Sequence, residues 1–293
     1  MNETTRTCPL CDGLAGGLAY PFQIQYRSQL FAHVRCRNCA TVFIDPLPDD
    51  EMFRHMYARE AYHELYYNSS ALPVSYLQSA RLLSSYAPSA AKVLDYGCGG
   101  GHFLLACRQL GLAPIGLEFD AEAAHAASRV AGVPVQTIHA WQACPAHQLF
   151  DAIHMGDVLE HLPAPAETLS FLLQSLKPSG LLFVEGPLED NASLVLWAAR
   201  SFGWLKRSLL PGHVGDGVPA HLFRTHATAQ RSFFQHLLPG AKELHWQVEE
   251  TGWPYAAGGF AKRLIAVTAR RLSGWRFMGC VLGNRFQMIV QVP

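Results

Sequence analysis

At 293 residues, 49% hydrophobic and 16% charged, the chain is long and apolar enough for one large globular domain or two smaller ones, which excludes a disordered polymer. Lys+Arg and Asp+Glu balance at 23 each, so no global field draws polyanions, and a nucleic-acid partner would need a local basic patch. No apolar run approaches the ~20 residues that span a bilayer, and Met1 to Arg6 has no signal-peptide core, so a reducing, cytoplasmic setting is expected.

In such a setting the eight cysteines point to metal ligands or buried thiols before disulfides. Cys8-Pro9-Leu10-Cys11 and Cys36-Arg37-Asn38-Cys39 are two zinc-knuckle spacings that together supply four thiolates. Between them Phe22, Ile24 and Tyr26 alternate, then Leu30, Ala32 and Val34, with Arg27-Ser28-Gln29 as the turn. That pattern reads as a hairpin bringing the knuckles together. A redox C-x-x-C would open a helix after a strand, and neither pair does. A closed four-thiolate site implies structural Zn2+. His33 reads as a strand residue, and Cys98, Cys107, Cys144 and Cys280 as small buried residues.

Residues 1–48 therefore form a zinc ribbon and 49–88 a helical linker or cap. From 89 to 293 strands and helices alternate, as in a parallel sheet covered on both faces. Strands are expected at 92–96, 114–119, 133–139, 152–155 and 181–185, with helices at 101–110, 121–130 and 164–176. Asp120 is a good N-cap for the second of these helices. A helical insertion over about 188–239 follows, including an apolar stretch, 191–210, with Trp197, Phe202 and Trp204. It reads as a substrate lid or dimer face; its own few basic residues argue against a membrane-surface element. Strands at 243–249 and 286–291 complete seven.

The stretch Val93-Leu94-Asp95-Tyr96-Gly97-Cys98-Gly99-Gly100-Gly101-His102-Phe103 runs from an apolar strand through a glycine loop into a helix. Such a loop lets a cofactor lie on the backbone at the carboxyl edge of a parallel sheet. A dinucleotide fingerprint would place its third glycine at position 102, which is His102. The pattern instead resembles the first motif of the class I S-adenosylmethionine (SAM) methyltransferases. Gly116-Leu117-Glu118-Phe119-Asp120 is similar to that family's second strand end, and Phe150 to Leu162 to its fourth strand and following turn. Leu176-Lys177-Pro178-Ser179-Gly180 is similar to its turn into the fifth strand, with Ser179 replacing a glycine. The ribbon, Phe43 to Pro48 and the tyrosine-rich segment 57–67 resemble a subfamily with an N-terminal zinc ribbon found with sugar, cell-envelope and natural-product biosynthesis.

This resemblance implies an α/β, Rossmann-like, seven-stranded mostly parallel sheet. Gly97, Gly99 and Gly101 would meet the methionine part of SAM, with Asp95 fixing the loop or meeting the amino group. Glu118 would accept from the ribose hydroxyls. Phe119, Ala140 and Trp141 would cover adenine, though the family's polar residue after strand three is missing from His139-Ala140-Trp141. Gly156 and Asp157 would line the methyl side. A hydroxyl acceptor needs a base, and histidine has the suitable pKa. His161 follows strand four and is the first candidate; His221 and His213 reach from the lid side.

The expected activity is methylation, at oxygen or carbon, of a small hydroxylated metabolite such as a sugar nucleotide or natural-product intermediate. The alternatives are an RNA methyltransferase and a non-catalytic zinc-stapled scaffold. The balanced charge and the lack of an Asn-Pro-Pro-Tyr-type motif after strand four weigh against nucleic acid. Nothing in the sequence sets the oligomeric state.

Overall fold

The structure, a computed structural model, describes residues 6–57, 73–143, 148–210, 212 and 214–293. The alternation before Val34 does fold back on itself. β1 (Ala15–Tyr26) and β2 (Gln29–Cys36) are antiparallel, with Tyr26 opposite Gln29, and β3 (Val42–Asp45) pairs antiparallel with β2. Helices α1 (Asp50–Tyr57) and α2 (Val74–Tyr86) follow. Apart from Tyr57, the tyrosine-rich segment lies outside the described residues.

Strand and helix then alternate: β4 (Lys92–Tyr96), α3 (His102–Gln109), β5 (Ala113–Glu118), α4 (Ala121–Ala131) and β6 (Val135–Thr137). Asp120 starts α4 by accepting the Ala123 N–H at 2.9 Å, and Gly132, at φ 65°, ends it. The third strand stops two residues before its expected end. Thr137 Oγ1 accepts the Ala140 N–H at 3.2 Å and begins a short helix, α5 (Ile138–Gln142).

After β7 (Phe150–Gly156), Leu159–His161 makes one 3-10 turn, and Pro165 opens α6 (Pro165–Leu173). β8 (Leu176–Pro187) begins earlier than the sequence suggests. Lys177 to Gly180, read as a turn, is a bulge within the strand: Phe150 faces Leu176 but Ala152 faces Leu181. α7 (Leu194–Leu209) is capped by Ser193, whose hydroxyl accepts from Val195 and Leu196. Then come β9 (Gly215–Asp216), β10 (Phe223–Arg224), α8 (Ala227–Leu237) and β11 (Lys242–Glu249). An unanticipated helix, α9 (Phe260–Arg271), and a small hairpin, β12 (Arg276–Phe277) with β13 (Cys280–Val281), precede β14 (Arg285–Gln291).

Seven strands form the central sheet in the order β11-β14-β8-β7-β4-β5-β6, parallel except for β14, which runs antiparallel to both neighbours. Successive strand residues feed opposite layers. Val93, Phe183 and Ile289 pack with Ala80, Leu83 and Phe103 of α2 and α3. Leu94, Leu182 and Met288 pack with Leu169, Leu172 and Phe234 of α6 and α8. A second sheet, β10-β3-β2-β1-β9, joins the cysteine hairpin to residues 215–216 and 223–224, with Phe223 opposite Phe43. Its two outer strands thus come from the segment that carries His221 between them.

A candidate active site at the carboxyl edge of the sheet

Leaving β4, the backbone turns through Gly97, Gly99 and Gly101 at φ 75°, 51° and 77°. Only glycine adopts these angles without strain. A Cβ on Gly101 would also sit 2.7 Å from the Ala127 carbonyl oxygen of α4. The loop is pinned to β5: the Gly97 and Cys98 N–H groups both donate to the Leu117 carbonyl, at 2.8 and 2.9 Å. Glu118, buried at the end of β5, accepts from Gly99 N–H at 2.8 Å and from Phe119 N–H at 2.6 Å. Burial raises the Glu118 carboxyl above its ordinary pKa, and these backbone donors oppose the rise. Phe119 is half exposed, with its ring 6.4 Å from that of Tyr57. Ala140 is exposed on α5, whereas Trp141 is buried, edge-on to Phe171.

Beneath the loop lies a chain of buried charge. His154 Nδ1–H donates to Asp95 Oδ1 at 2.7 Å, and its Nε2 is 3.5 Å from Glu185 Oε1. Phe103 stacks on the imidazole with ring centres 3.7 Å apart. Burial alone would depress His154, but the two carboxylates outweigh it and lift it to about 9. Glu185 is correspondingly held down at about 2 against its own burial, and it also accepts from Ser79 Oγ and Gln287 Nε2. Asp157, at φ 53°, accepts from Arg285 at 2.6 Å. Tyr76, Asp95, Gly97, Gly156, Asp157 and Glu185 line a cavity here. Sequence reasoning passed over His154, Glu185 and Arg285. The signal was available: a histidine within Ala152-Ile153-His154-Met155, a strand buried on both faces, requires a buried counter-charge.

A second cluster adjoins this one. A Cβ on Gly186 would lie 3.5 Å from Glu160 Oε2 and 4.0 Å from Asp157 Oδ1. His161 Nδ1–H donates to the Ala220 carbonyl at 2.8 Å, and Tyr57 O–H donates to the same carbonyl at 2.7 Å. His221 Nδ1–H donates to Glu189 Oε2 at 2.8 Å. The two imidazole centres are 4.8 Å apart, and donor atoms of Glu160, His161 and His221 all lie within 4.8 Å of one another. Burial and the neighbouring His221 depress His161 to about 3. Burial also works against protonated His221, but Glu189 prevails and raises it, while Glu189 is itself held near 2. Burial lifts the Glu160 carboxyl to about 8. His213 lies outside the described residues.

At the other end of the second sheet, Cys8, Cys11, Cys36 and Cys39 bring their sulfurs together within 4.8 Å. Cys8 to Cys39 is 3.6 Å and Cys11 to Cys36 is 3.5 Å. A tetrahedron with metal–sulfur bonds of about 2.3 Å has edges of about 3.8 Å, so the donor set fits zinc. Asn38 N–H donates to Cys36 Sγ, and a Cβ on Gly13 would sit 2.8 Å from that sulfur. Cys98 and Cys107 are buried as anticipated; Cys280 is exposed on its hairpin, and Cys144 lies outside the described residues.

Residues 69–256, more than half of the chain, match the family described as "Methyltransferase domain". The chain belongs to that family, and its central sheet has the class I methyltransferase fold. A solved SAM-dependent methyltransferase from Archaeoglobus fulgidus shares its fold, covering 83% of this chain and 100% of its own, at TM-score 0.50 and 17% identity. The ubiquinone biosynthesis O-methyltransferase of Thiobacillus denitrificans is 31% identical over 170 residues, 54% of this chain and 72% of its own. That of Parvibaculum lavamentivorans is 29% identical over 124 residues, 40% of this chain and 49% of its own. The chain thus spans about half the length of the Parvibaculum relative. Among the described residues no helix is long and apolar enough to cross a membrane.

Proposed function

We propose that the enzyme transfers the SAM methyl group to a hydroxyl oxygen of a small metabolite, with His221 as general base and Glu189 holding it. When bound, SAM supplies a methyl group on a sulfonium, already activated for displacement. The three carboxylates of Asp95, Asp157 and Glu185 line the adjoining cavity and outnumber the His154 and Arg285 cations that pair with them, which suits a cationic donor. Gly97, Gly99 and Gly101 keep the loop free of side chains. Glu118, held by backbone donors at the end of β5, presents its carboxylate to a ribose diol. The acceptor proton goes to His221 Nε2, because Nδ1 is committed to Glu189. His161, pressed far toward its neutral form, positions Tyr57 and the Ala220 backbone beside that site. Four thiolates hold a structural Zn2+ that fixes β2 and β3.

The observation carrying this reading is the His221–Glu189 pair, set beside Glu160 and Asp157 at the sheet edge where the glycine loop ends. The names of the curated relatives favour oxygen over carbon as the acceptor. The deciding experiment incubates the protein with isotope-labelled SAM and, separately, hydroxylated aromatics, sugar nucleotides, metabolite extract and total RNA. Label in a small hydroxylated compound as an alkali-stable methyl ether supports the reading. Label in RNA, or on carbon, overturns it.

A further inference from the structure

Two segments of this electrically balanced chain contain no acidic residue at all: 194–215, which includes α7, and 251–284, which includes α9 and the β12–β13 hairpin. Between them they hold Arg200, Lys206, Arg207, Lys262, Arg263, Arg270, Arg271 and Arg276. Among the described residues only Arg200 of these is ion-paired, to Asp190, and the other seven are exposed. The same segments, less than a fifth of the chain, hold more than half of the large apolar side chains exposed among the described residues. Phe202, Leu205, Leu209, Phe260 and Met278 are 67%, 56%, 70%, 86% and 88% exposed. Ordinary monomers do not display apolar surface on this scale without a partner.

The two segments are joined. α7 packs on α9, the Trp197 ring meets Phe277 at 6.2 Å, and Gly283 N–H donates to the Ala192 carbonyl. Both leave the central sheet at the end where Pro187 of β8 faces Arg285 of β14, the edge that carries Glu185 and Asp157. α7 considered alone has too few cations for a membrane element; the 251–284 segment adds five more and changes the balance.

We propose that this joint face docks on an anionic lipid bilayer. Its exposed rings, among them Phe202, Trp204, Phe260 and Trp275, are interleaved with the aliphatic Leu205, Leu209, Leu264 and Val267, a mixture that suits the headgroup and acyl boundary of a bilayer better than a run of stacked bases. Unpaired Lys and Arg beside them suit anionic headgroups. Pairing with a second copy about a two-fold axis would press this all-basic surface against itself. The proposal is independent of which acceptor is methylated.

Flotation with vesicles of phosphatidylcholine alone, or with roughly one-third phosphatidylglycerol, tests it. The 293-residue protein floats with the anionic vesicles several-fold better than with neutral ones, and the difference shrinks at high salt. The combined variant Lys206→Glu, Arg271→Glu, Arg276→Glu loses roughly tenfold or more of that binding. The variant Phe202→Ser, Leu209→Ser, Met278→Ser also loses it, with SAM binding and Tm unchanged as the folding control. Failure to float with either vesicle overturns the proposal, as does flotation that both variants leave intact. Self-association abolished by the apolar variant, or an RNA complex abolished by the charge variant, overturns it when no vesicle binding accompanies it.

Discussion

Glu189 Oε2 accepts the Nδ1 proton of His221 at 2.8 Å, and that bond separates two neighbouring imidazoles chemically. His221 is raised by the carboxylate, whereas His161, anchored to the Ala220 carbonyl, is driven by burial to about 3. A carboxylate behind an imidazole fixes its tautomer and stabilises the imidazolium formed when it takes a proton. Such a pair suits deprotonation of an acceptor hydroxyl in a way that a permanently neutral ring does not.

Replacing His221 by Ala lowers kcat by roughly 10²- to 10⁴-fold while SAM affinity changes by less than about twofold. Glu189→Gln has a more diagnostic effect. With His221 as the proposed base, protonation below its raised pKa should inactivate the wild type, so kcat should climb with pH through a value above the ordinary 6.5. Loss of the carboxylate lets that pKa fall, moving the acidic limb of the kcat profile to lower pH. A limb that stays put in Glu189→Gln removes Glu189 from the role of positioning the base.

The glycine loop separates backbone conformation from steric contact. Gly101 and Gly111 have φ of 77° and 79°, but a Cβ on Gly101 meets the Ala127 carbonyl at 2.7 Å, while one on Gly111 meets nothing within 4 Å. Gly111→Ala should cost about 1 kcal/mol from the left-handed backbone alone. Gly101→Ala should cost at least about 3 kcal/mol and abolish SAM binding, because α4 and the loop must move apart. Thermal melts and calorimetry with SAM check both, and equal costs would show that the contact with α4 is unimportant.

The four-cysteine cluster is linked to His221 through the second sheet. Cys36 ends β2, β2 pairs with β3, and Phe43 of β3 faces Phe223, two residues beyond His221. Cys36→Ser or Cys39→Ser should abolish zinc measured by atomic absorption and lower Tm by at least about 5 °C. Activity should fall with it, since β10 loses its partner. Full activity in a zinc-free variant would disconnect the ribbon from the site.

Much of this arrangement was legible in the sequence because its signals are local. The Gly97 to Gly101 loop, the Asp120 cap and the two cysteine knuckles each depend on spacing within a few residues. The elements misjudged are those decided by competition. Thr137 could continue a strand or cap a helix, and the cap prevailed; Lys177 to Gly180 could turn or bulge, and pairing of Leu176 and Leu181 on either side with β7 left them as a bulge in the strand. Pairings between distant residues left no periodic trace. Asp95 with His154, Glu185 with Gln287, and His221 with Glu189 became visible only when the strands were placed side by side. α9 escaped notice because its buried residues are only Ala266 and Ala269, and large apolar side chains such as Phe260, Leu264 and Val267 stand among the cations on its exposed side.

The Asp95–His154–Glu185 chain should make stability depend on pH at both ends. His154 is raised to about 9, so it binds more protons folded than unfolded between 6.5 and 9. Its stabilising contribution is complete below 6.5 and is lost as pH climbs through 9. Glu185 is depressed to about 2, so its contribution is complete above 4.5 and disappears as pH falls toward 2. Tm should therefore decline on the alkaline side well before lysines titrate. Asp95→Asn removes the carboxylate that accepts from His154 Nδ1 and should flatten the decline between 6.5 and 9, while lowering Tm at neutral pH. Calorimetric scans of wild type and Asp95→Asn over that range check this. Parallel curves would mean that His154 is already neutral in the folded enzyme, with Asp95 serving only as a hydrogen-bond acceptor.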